Sequence, residues 1–400
     1  MTSFRSSTHC SQVSEPQDSY TPDEGSQTAL LLIRKGGISI KICVYAICKN
    51  EEQFIDRFMD SAQEADCICV LDTGSTDSSV EKLRARGALV EQKIITPWRF
   101  DRARSESLQL IPADIDVCCC IDLDEQFHPG WRALLERAWQ DDTTLARCRF
   151  TWSFNPDGSE GGVFWAGKVH KNGCYRWVGA VHEVLSYTGD GEERVITVEG
   201  IQLDHHPDPT KSRGQYLPLL ELAVAEEPEN DRNCHYLGRE YMYYGEWEKA
   251  IAVLLRHLAL PRATWADERC ASMRYIARCY RQLGRSDLAA VWLHRAIAEA
   301  PYLREPYIDF AGLLFEQKDW YGLAHLARCA LAIRERPRTY ICEADAWGAL
   351  PYDYLSLAYA HLGQVEQAIE AVKTAIALSP QEERLKNNLD IFRAMLLTGA

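Results

Sequence analysis

The segment Asp122-Leu123-Asp124-Glu125 is the part of this 400-residue chain best equipped for chemistry. Two acidic side chains two residues apart fall on one side of a locally extended segment, where their oxygens can hold Mg²⁺ or Mn²⁺ against a phosphorylated ligand. Asp is also common in turns, so the pair gains meaning only from its surroundings. Two polar clusters close apolar runs in the same way, Lys49-Asn50-Glu51-Glu52 and Asp72-Thr73-Gly74-Ser75-Thr76-Asp77, and Arg102-Ala103-Arg104 follows a third run. Two later clusters carry further titratable groups: Arg176-Trp177 with His182-Glu183, and Asp204-His205-His206.

These clusters need elements to position them. Ile40, Ile42, Val44 and Ile47 mark a strand buried on both faces. A helix follows, with Asn50 as its N-cap and Phe54, Ile55, Phe58, Met59 and Ala62 along one side. Cys67–Leu71, Ala88–Ile95 and Val117–Ile121 read as further strands, with helices around Val80 and Leu83 and over Ala103–Leu110. Alternation at this spacing implies a mostly parallel α/β sheet, whose ligands bind beyond the C-terminal strand ends. Asp72, Asp122 and Lys49 all fall on that rim. Val163–Val169, Tyr175–Val178 and Val195–Leu203 alternate between Gly and Asp breaks, as antiparallel strands extending the sheet would.

Beyond Pro218 the pattern becomes helical and repetitive. Leu237-Gly238, Tyr241, Gly245, Ala250 and Leu254 recur at the same offsets as Ile276-Ala277, Tyr280, Gly284, Ala289 and Leu293, and as Leu355-Ser356, Tyr359, Gly363, Ala368 and Val372. A small residue at a helix crossing, an aromatic three later and a turn glycine resemble the tetratricopeptide repeat. Tyr307–Leu331 is a degenerate unit, and a closing helix runs from about Gln381 to Leu397.

Taken in order, the strand, the Lys49 cluster, the Asp72 cluster, Ala103-Arg104 and the acidic motif resemble the family 2 glycosyltransferases of the GT-A fold. The branch they are most similar to carries a C-terminal helical repeat region and includes SunS-like peptide S-glycosyltransferases. Composition marks residues 1–37 as a leader. The resemblance covers roughly residues 40–206 and the repeats continue it, which implies a Rossmann-like α/β GT-A domain over 38–215 and an all-α tetratricopeptide-like solenoid over 216–400. It implies that Asp72 bonds the nucleotide base, that Asp122 meets the ribose or the metal, and that Asp124 binds the Mn²⁺ or Mg²⁺ bridging the diphosphate. Arg104 then adds positive charge near that diphosphate, and Lys49 joins the donor site. Relatives often read Ala-Arg-Asn where this chain has Ala103-Arg104-Ser105, which leaves the role of that Asn unfilled. On the acceptor side, Glu183 is the candidate base of an inverting transfer and His182 supports it or binds phosphate. Of the adjacent His205 and His206, one can face the metal, and His206 is favoured. Ordinary structural roles stay open for Arg104 as a solvated helix charge, Glu183 as a strand-edge carboxylate, and the three histidines.

The implied function is metal-dependent transfer of a sugar from a nucleotide-sugar donor, a UDP-sugar favoured, to a peptide or protein side chain held against the repeats. Two other readings fit: a non-catalytic, repeat-mediated interaction protein with a vestigial transferase domain, and a glycan- or lipid-directed transferase. The net charge of -14 argues against nucleic acid as a partner, since backbone binding needs clustered Lys and Arg. The 15 cysteines are odd in number and contain no C-x-x-C pair, the pattern of reduced, buried thiols in a cytoplasmic protein. No apolar run approaches the ~18 residues of a membrane span, and no signal peptide is visible. The Ser- and Thr-rich leader reads as disordered, and the repeats offer a surface for self-association.

Overall fold

The computed structural model describes residues 40–155, 158–208 and 214–398. The leader expected over residues 1–37 lies outside them. The centre is built from β1 (Ile42–Cys48), α1 (Ile55–Ala62), β2 (Cys67–Asp72), α2 (Ser79–Ala85), β3 (Leu89–Gln92), α3 (Phe100–Leu108) and β4 (Val117–Cys120). It continues through β5 (Glu125–Phe127), α4 (Trp131–Ala138), β6 (Leu145–Thr151), β7 (Val163–Lys171), β8 (Tyr175–Val178), β9 (Val184–Tyr187) and β10 (Val195–His205).

Eight strands make one sheet in the order β3-β2-β1-β4-β7-β6-β10-β5. β1 is parallel to both β2 and β4 and buried almost throughout, as its run of Ile, Cys and Val requires. The chain winds outward from β1 to β3, then crosses back to β4 on the other side of β1. A crevice opens at such a switch point, beyond the strand ends. Cys48 stands level with Asp72, and Tyr45 with Cys120, so the loops beginning at Lys49, Thr73 and Ile121 leave from one rim.

Three sequence expectations change in detail. Asn50 does not cap α1, which starts at Ile55; with φ 55° it turns back, and its Oδ1 accepts the Thr76 N–H at 2.7 Å, tying two rim loops together. β10 is antiparallel only to β5 and runs parallel to β6, because the connection through β7, β8 and β9 is long enough to bring it back in the same direction. Tyr175–Val178 does not extend the sheet but pairs with β9 as a separate hairpin.

The helical part comprises α5 (Tyr216–Glu226), α6 (Asp231–Tyr243), α7 (Trp247–Ala259), α8 (Ala266–Gln282), α9 (Ser286–Glu299), α10 (Glu305–Glu316), α11 (Trp320–Ala332), α12 (Ala344–Trp347), α13 (Leu350–His361), α14 (Val365–Leu378) and α15 (Glu383–Thr398). α6/α7, α8/α9, α10/α11 and α13/α14 pack as stacked tetratricopeptide-like hairpins, and α15 closes the stack. The turn residues explain the repeat. Gly245, Gly284 and Gly363 hold φ values of 76°, 71° and 72°, a left-handed conformation that costs glycine nothing. In the degenerate unit Lys318 takes that place at φ 59°. Gly238 sits where α6 crosses α7, and a Cβ there would come within 2.5 Å of Leu254 Cγ. No described helix is long and apolar enough to cross a membrane.

The β8–β9 hairpin shares a core with the helical hairpins. Ala180 and Val181, from the β8–β9 connection, pack in one cluster with Leu219 and Leu220 of α5 and with residues of α6, α7 and α8.

Candidate active site

The acidic motif is a turn anchored at both ends. Leu123 is buried in the sheet core between the two aspartates. Glu125 folds back so that its Oε2 accepts the Asp122 N–H at 3.0 Å, while Lys168 of β7 donates to its Oε1 at 2.7 Å. Burial raises the Glu125 pKa against the pull of Lys168. The buried Leu123 and the Glu125–Lys168 pair hold the loop, which leaves Asp122 and Asp124 to face outward.

Asp122 and Asp124 differ in their commitments. Asp122 receives Arg104 Nη2, at 2.8 Å to Oδ1 and 3.1 Å to Oδ2. Burial opposes its charge, yet Arg104 and Lys168 outweigh that and hold its pKa at about 2. Asp124 instead lies with Oδ2 3.5 Å from His205 Nε2. Burial disfavours the His205 imidazolium, but Asp124 prevails and raises its pKa. A carboxylate oxygen and an imidazole nitrogen at that separation suit two ligands of one divalent cation, so the donor set fits a metal at Asp124. His205 is fixed by Nδ1 on the Trp152 carbonyl oxygen at 2.9 Å and by stacking on the Trp152 ring. His206, favoured from sequence, lies differently. Its ring stacks on Phe154 at 5.3 Å, and its backbone N–H donates to the Asp124 carbonyl oxygen at 2.8 Å. His205 is the last residue of β10, and His206 just beyond it keeps an electrostatic interaction with Asp124 while its ring rests on Phe154.

Arg104, buried on α3, is a hub. Its Nε donates to Glu183 Oε1 at 2.6 Å, its Nη1 lies 3.3 Å from Cys120 Sγ, and its guanidinium lies 5.2 Å from the Trp177 ring centre. One guanidinium therefore joins the aspartate motif to the expected acceptor segment. Trp177 is held beneath it by Nε1, which donates to Tyr45 OH at 3.0 Å, and Tyr45 OH is 2.8 Å from His170 Nε2. Glu183 follows His182, whose backbone is left-handed at φ 51°, and the His182 ring stacks on Tyr236 of α6 at 4.0 Å. Non-glycine residues held in that region concentrate at functional sites.

Asp72 is fully buried, and its carboxylate accepts the backbone N–H groups of Gly74 and Ser75, each at 3.2 Å. Lys49 is exposed on the same rim. His128 pairs with Asp204 at 2.8 Å in place of the local capping its sequence position suggests.

Arg57 of α1 escaped the sequence reading. It interacts electrostatically with Asp124, and its Nε and Nη2 are buried without a hydrogen-bond partner among the described residues. Its only sequence signal is that α1 begins at the rim, two residues before it. Lys168 had none, since its partner Glu125 is 43 residues away.

A switch-point crevice rimmed by an anchored D-x-D turn, on a Rossmann-like sheet followed by stacked hairpins, is the layout of a GT-A-type transferase fold with tetratricopeptide-like repeats. Residues 43–163, which hold β1 to β6, match the family model Glycosyl transferase family 2. Over 136 residues the chain is 26% identical to prolyl 3-hydroxylase 2 of Rattus norvegicus and of Mus musculus, a match covering 33% of this chain. The chain thus spans about a fifth of the length of the curated relatives it matches, 19% in each case. Among solved structures, it is similar to the APC/C hetero-tetramer Cut9-Hcn1, at 15% identity over 45% of this chain and 33% of that one, with a TM-score of 0.38. It is similar to MamA at 17% identity over 43% and 87% of the two chains, TM-score 0.34. Yeast Tom70 gives 14% identity over 47% and 37%, TM-score 0.37. The hairpins and their turn glycines, rather than these likenesses, carry the description of the repeats.

Proposed function

We propose that the chain is an inverting, metal-dependent glycosyltransferase that moves a sugar from a nucleotide donor, a UDP-sugar in our reading, to a peptide or protein side chain. The observation carrying this is the Arg104 bridge, which sets the donor-side Asp122 and the acceptor-side Glu183 on one cation inside a family 2 domain. We assign catalysis to residues 38–215 and acceptor binding to residues 216–400.

Asp72 and Lys49 lie on the rim where the nucleotide would sit, and Asp122, oriented by Arg104, would meet the ribose. Asp124 with His205 would hold the divalent cation, Mn²⁺ or Mg²⁺, which when bound offsets charge on the departing diphosphate. Arg104 is spent on two carboxylates, so the fixed positive charge for the diphosphate falls to Arg57, whose guanidinium has donors to spare. The acceptor atom attacks the anomeric carbon opposite the diphosphate. The carbon–oxygen bond to phosphate breaks, its electron pair leaves with the nucleoside diphosphate, and Glu183 takes the acceptor's proton. Arg104 occupies Glu183 Oε1, which leaves the other carboxylate oxygen for that proton. In-line displacement inverts the anomeric configuration. The stacking of His182 on Tyr236 puts the first hairpin against this segment, and concave repeat surfaces suit extended peptides. The described cysteines are all free, which fits a reducing compartment such as the cytoplasm.

Glu183→Gln should lower transfer to the acceptor roughly 10²- to 10⁴-fold, the usual contribution of a general base, with donor affinity kept. Steady-state kinetics beside calorimetric donor titration separates the two; full activity in the variant would remove Glu183 as the base. In the same titration Arg57→Ala should weaken UDP-sugar binding by roughly 10- to 100-fold, the worth of charged hydrogen bonds to phosphate. Unchanged affinity would exclude Arg57 from the diphosphate site.

A further inference from the structure

A second cluster of ligand-type side chains lies inside the helical stack, apart from the rim. His235 of α6, His257 of α7 and Glu268 of α8 offer ligand atoms that all fall within 4.8 Å of one another. Both histidines are fully buried, and Glu268 is 5% exposed. The two imidazoles are held from behind by one residue: Ser272 Oγ lies 2.8 Å from His235 Nδ1 and 2.9 Å from His257 Nδ1. Glu268 is also held, by the Tyr340 hydroxyl donating to its Oε2.

The front of the cluster is not satisfied in this way. Among the described residues, His235 Nε2 is buried without a hydrogen-bond partner, and the buried His257 Nε2 has only Glu268 beside it. His257 Nε2 is 3.2 Å from Glu268 Oε1, an ion-pair distance, so His235 Nε2 is the nitrogen left without a close partner. Buried polar nitrogens in a native core normally have partners, and one left over calls for a reason. Ser272 has one hydroxyl proton and cannot supply both rings. If it donates to one Nδ1, that ring carries its own proton on Nε2, and the other ring keeps a bare Nε2.

We propose that His235, His257 and Glu268 bind a zinc ion. Both Nδ1–H groups then donate to the two lone pairs of Ser272 Oγ, and both Nε2 lone pairs go to the metal. A hydrogen-bonded Nδ1 behind each ligating Nε2 is the usual second layer of a histidine metal site. In a tetrahedral site with bonds of ~2.0–2.1 Å, neighbouring ligand atoms stand about 3.3 Å apart, close to the observed His257–Glu268 separation. The three ligand atoms lie within 4.8 Å of one another, so the longer edges must shorten when the ion binds. Two imidazoles and one carboxylate leave a fourth position for water. Imidazole donors favour Zn²⁺ over Mg²⁺ or Ca²⁺, and the nearby Arg232 and Arg239 disfavour any cation not held by strong bonds to nitrogen. Such an ion would join α6, α7 and α8, and it would sit beside Tyr236, the residue on which His182 stacks. The site would therefore be structural, fixing the hairpin that meets the acceptor segment. The inference stands independently of the glycosyltransferase reading.

The test uses the full chain, stripped with a chelator and titrated with Co²⁺ as a spectroscopic stand-in and with Zn²⁺ in competition. One equivalent of Co²⁺ should give the intense visible absorption of a tetrahedral centre, and Zn²⁺ should abolish it and raise the melting temperature. Asp124→Asn should keep the band, which separates this site from any metal at the rim. His235→Gln with His257→Gln should lose it while circular dichroism stays helical, and Glu268→Gln serves should that pair fail to fold. No tetrahedral band in the unaltered chain, or a band that survives these substitutions, overturns the proposal.

Discussion

Asp124→Asn is expected to reduce sugar transfer by roughly 10²- to 10³-fold or more, the loss seen when one charge-stabilising group is removed from a developing anion. The substitution keeps the side chain's size and leaves Leu123, Glu125 and Lys168 to anchor the turn, so the melting temperature should stay nearly unchanged. It also removes the charge facing His205 Nε2, 3.5 Å away. The decisive measurement is single-turnover transfer across a Mn²⁺ titration. The unaltered protein should show saturating dependence on metal, and the variant should be slow at every concentration. If the variant keeps both rate and metal dependence, Asp124 does not hold the ion and the assignment of the motif fails.

The second large effect is expected in stability. Arg104 is 6% exposed and satisfies two carboxylates, Asp122 at 2.8 Å and Glu183 at 2.6 Å. Arg104→Leu deletes the cation that Asp122 and Glu183 share, leaving Lys168 as the remaining positive charge near Asp122. Removing one partner of a buried ion pair costs about 3–5 kcal/mol, because the remaining charge is uncompensated. Asp122 is one-third exposed and will recover some hydration, which places the expectation at the lower end. Urea denaturation of the variant should show a midpoint shift without a change in slope. Arg104→Lys should not restore the midpoint, because one ammonium cannot present the separate Nε and Nη donors that reach the two acids. A loss below about 1 kcal/mol would mean that the hub is a solvated contact of the surface kind.

Much of this arrangement was legible in the sequence where the signal is local. D-x-D at a strand end, the Asp72 turn and the recurrence of Gly245, Gly284 and Gly363 each depend on neighbours in the chain, and each appears where expected. The missing parts depend on partners far along it. Lys168 is ordinary in β7 until Glu125 folds beneath it, and Arg57 is an unremarkable helix residue until Asp124 approaches. Alternation said that only one of His205 and His206 faces Asp124, but which one was set by the stacking of His205 on Trp152. Arg104 carried a plausible phosphate role in sequence, and its two carboxylate partners, 18 and 79 residues away, gave it a different one.

The common core of Ala180 and Val181 with α5 to α8 bears on how such a protein can be re-engineered. Stacked repeats contact mainly their neighbours, which makes distal units modular in general. Here the graft point matters. A chimera cut at residue 215 would tear the β8–β9 connection from its packing partners, and one joined after α9 would still remove Tyr340 and Ile341, which pack into the same core, so the graft has to keep the segment around residue 340.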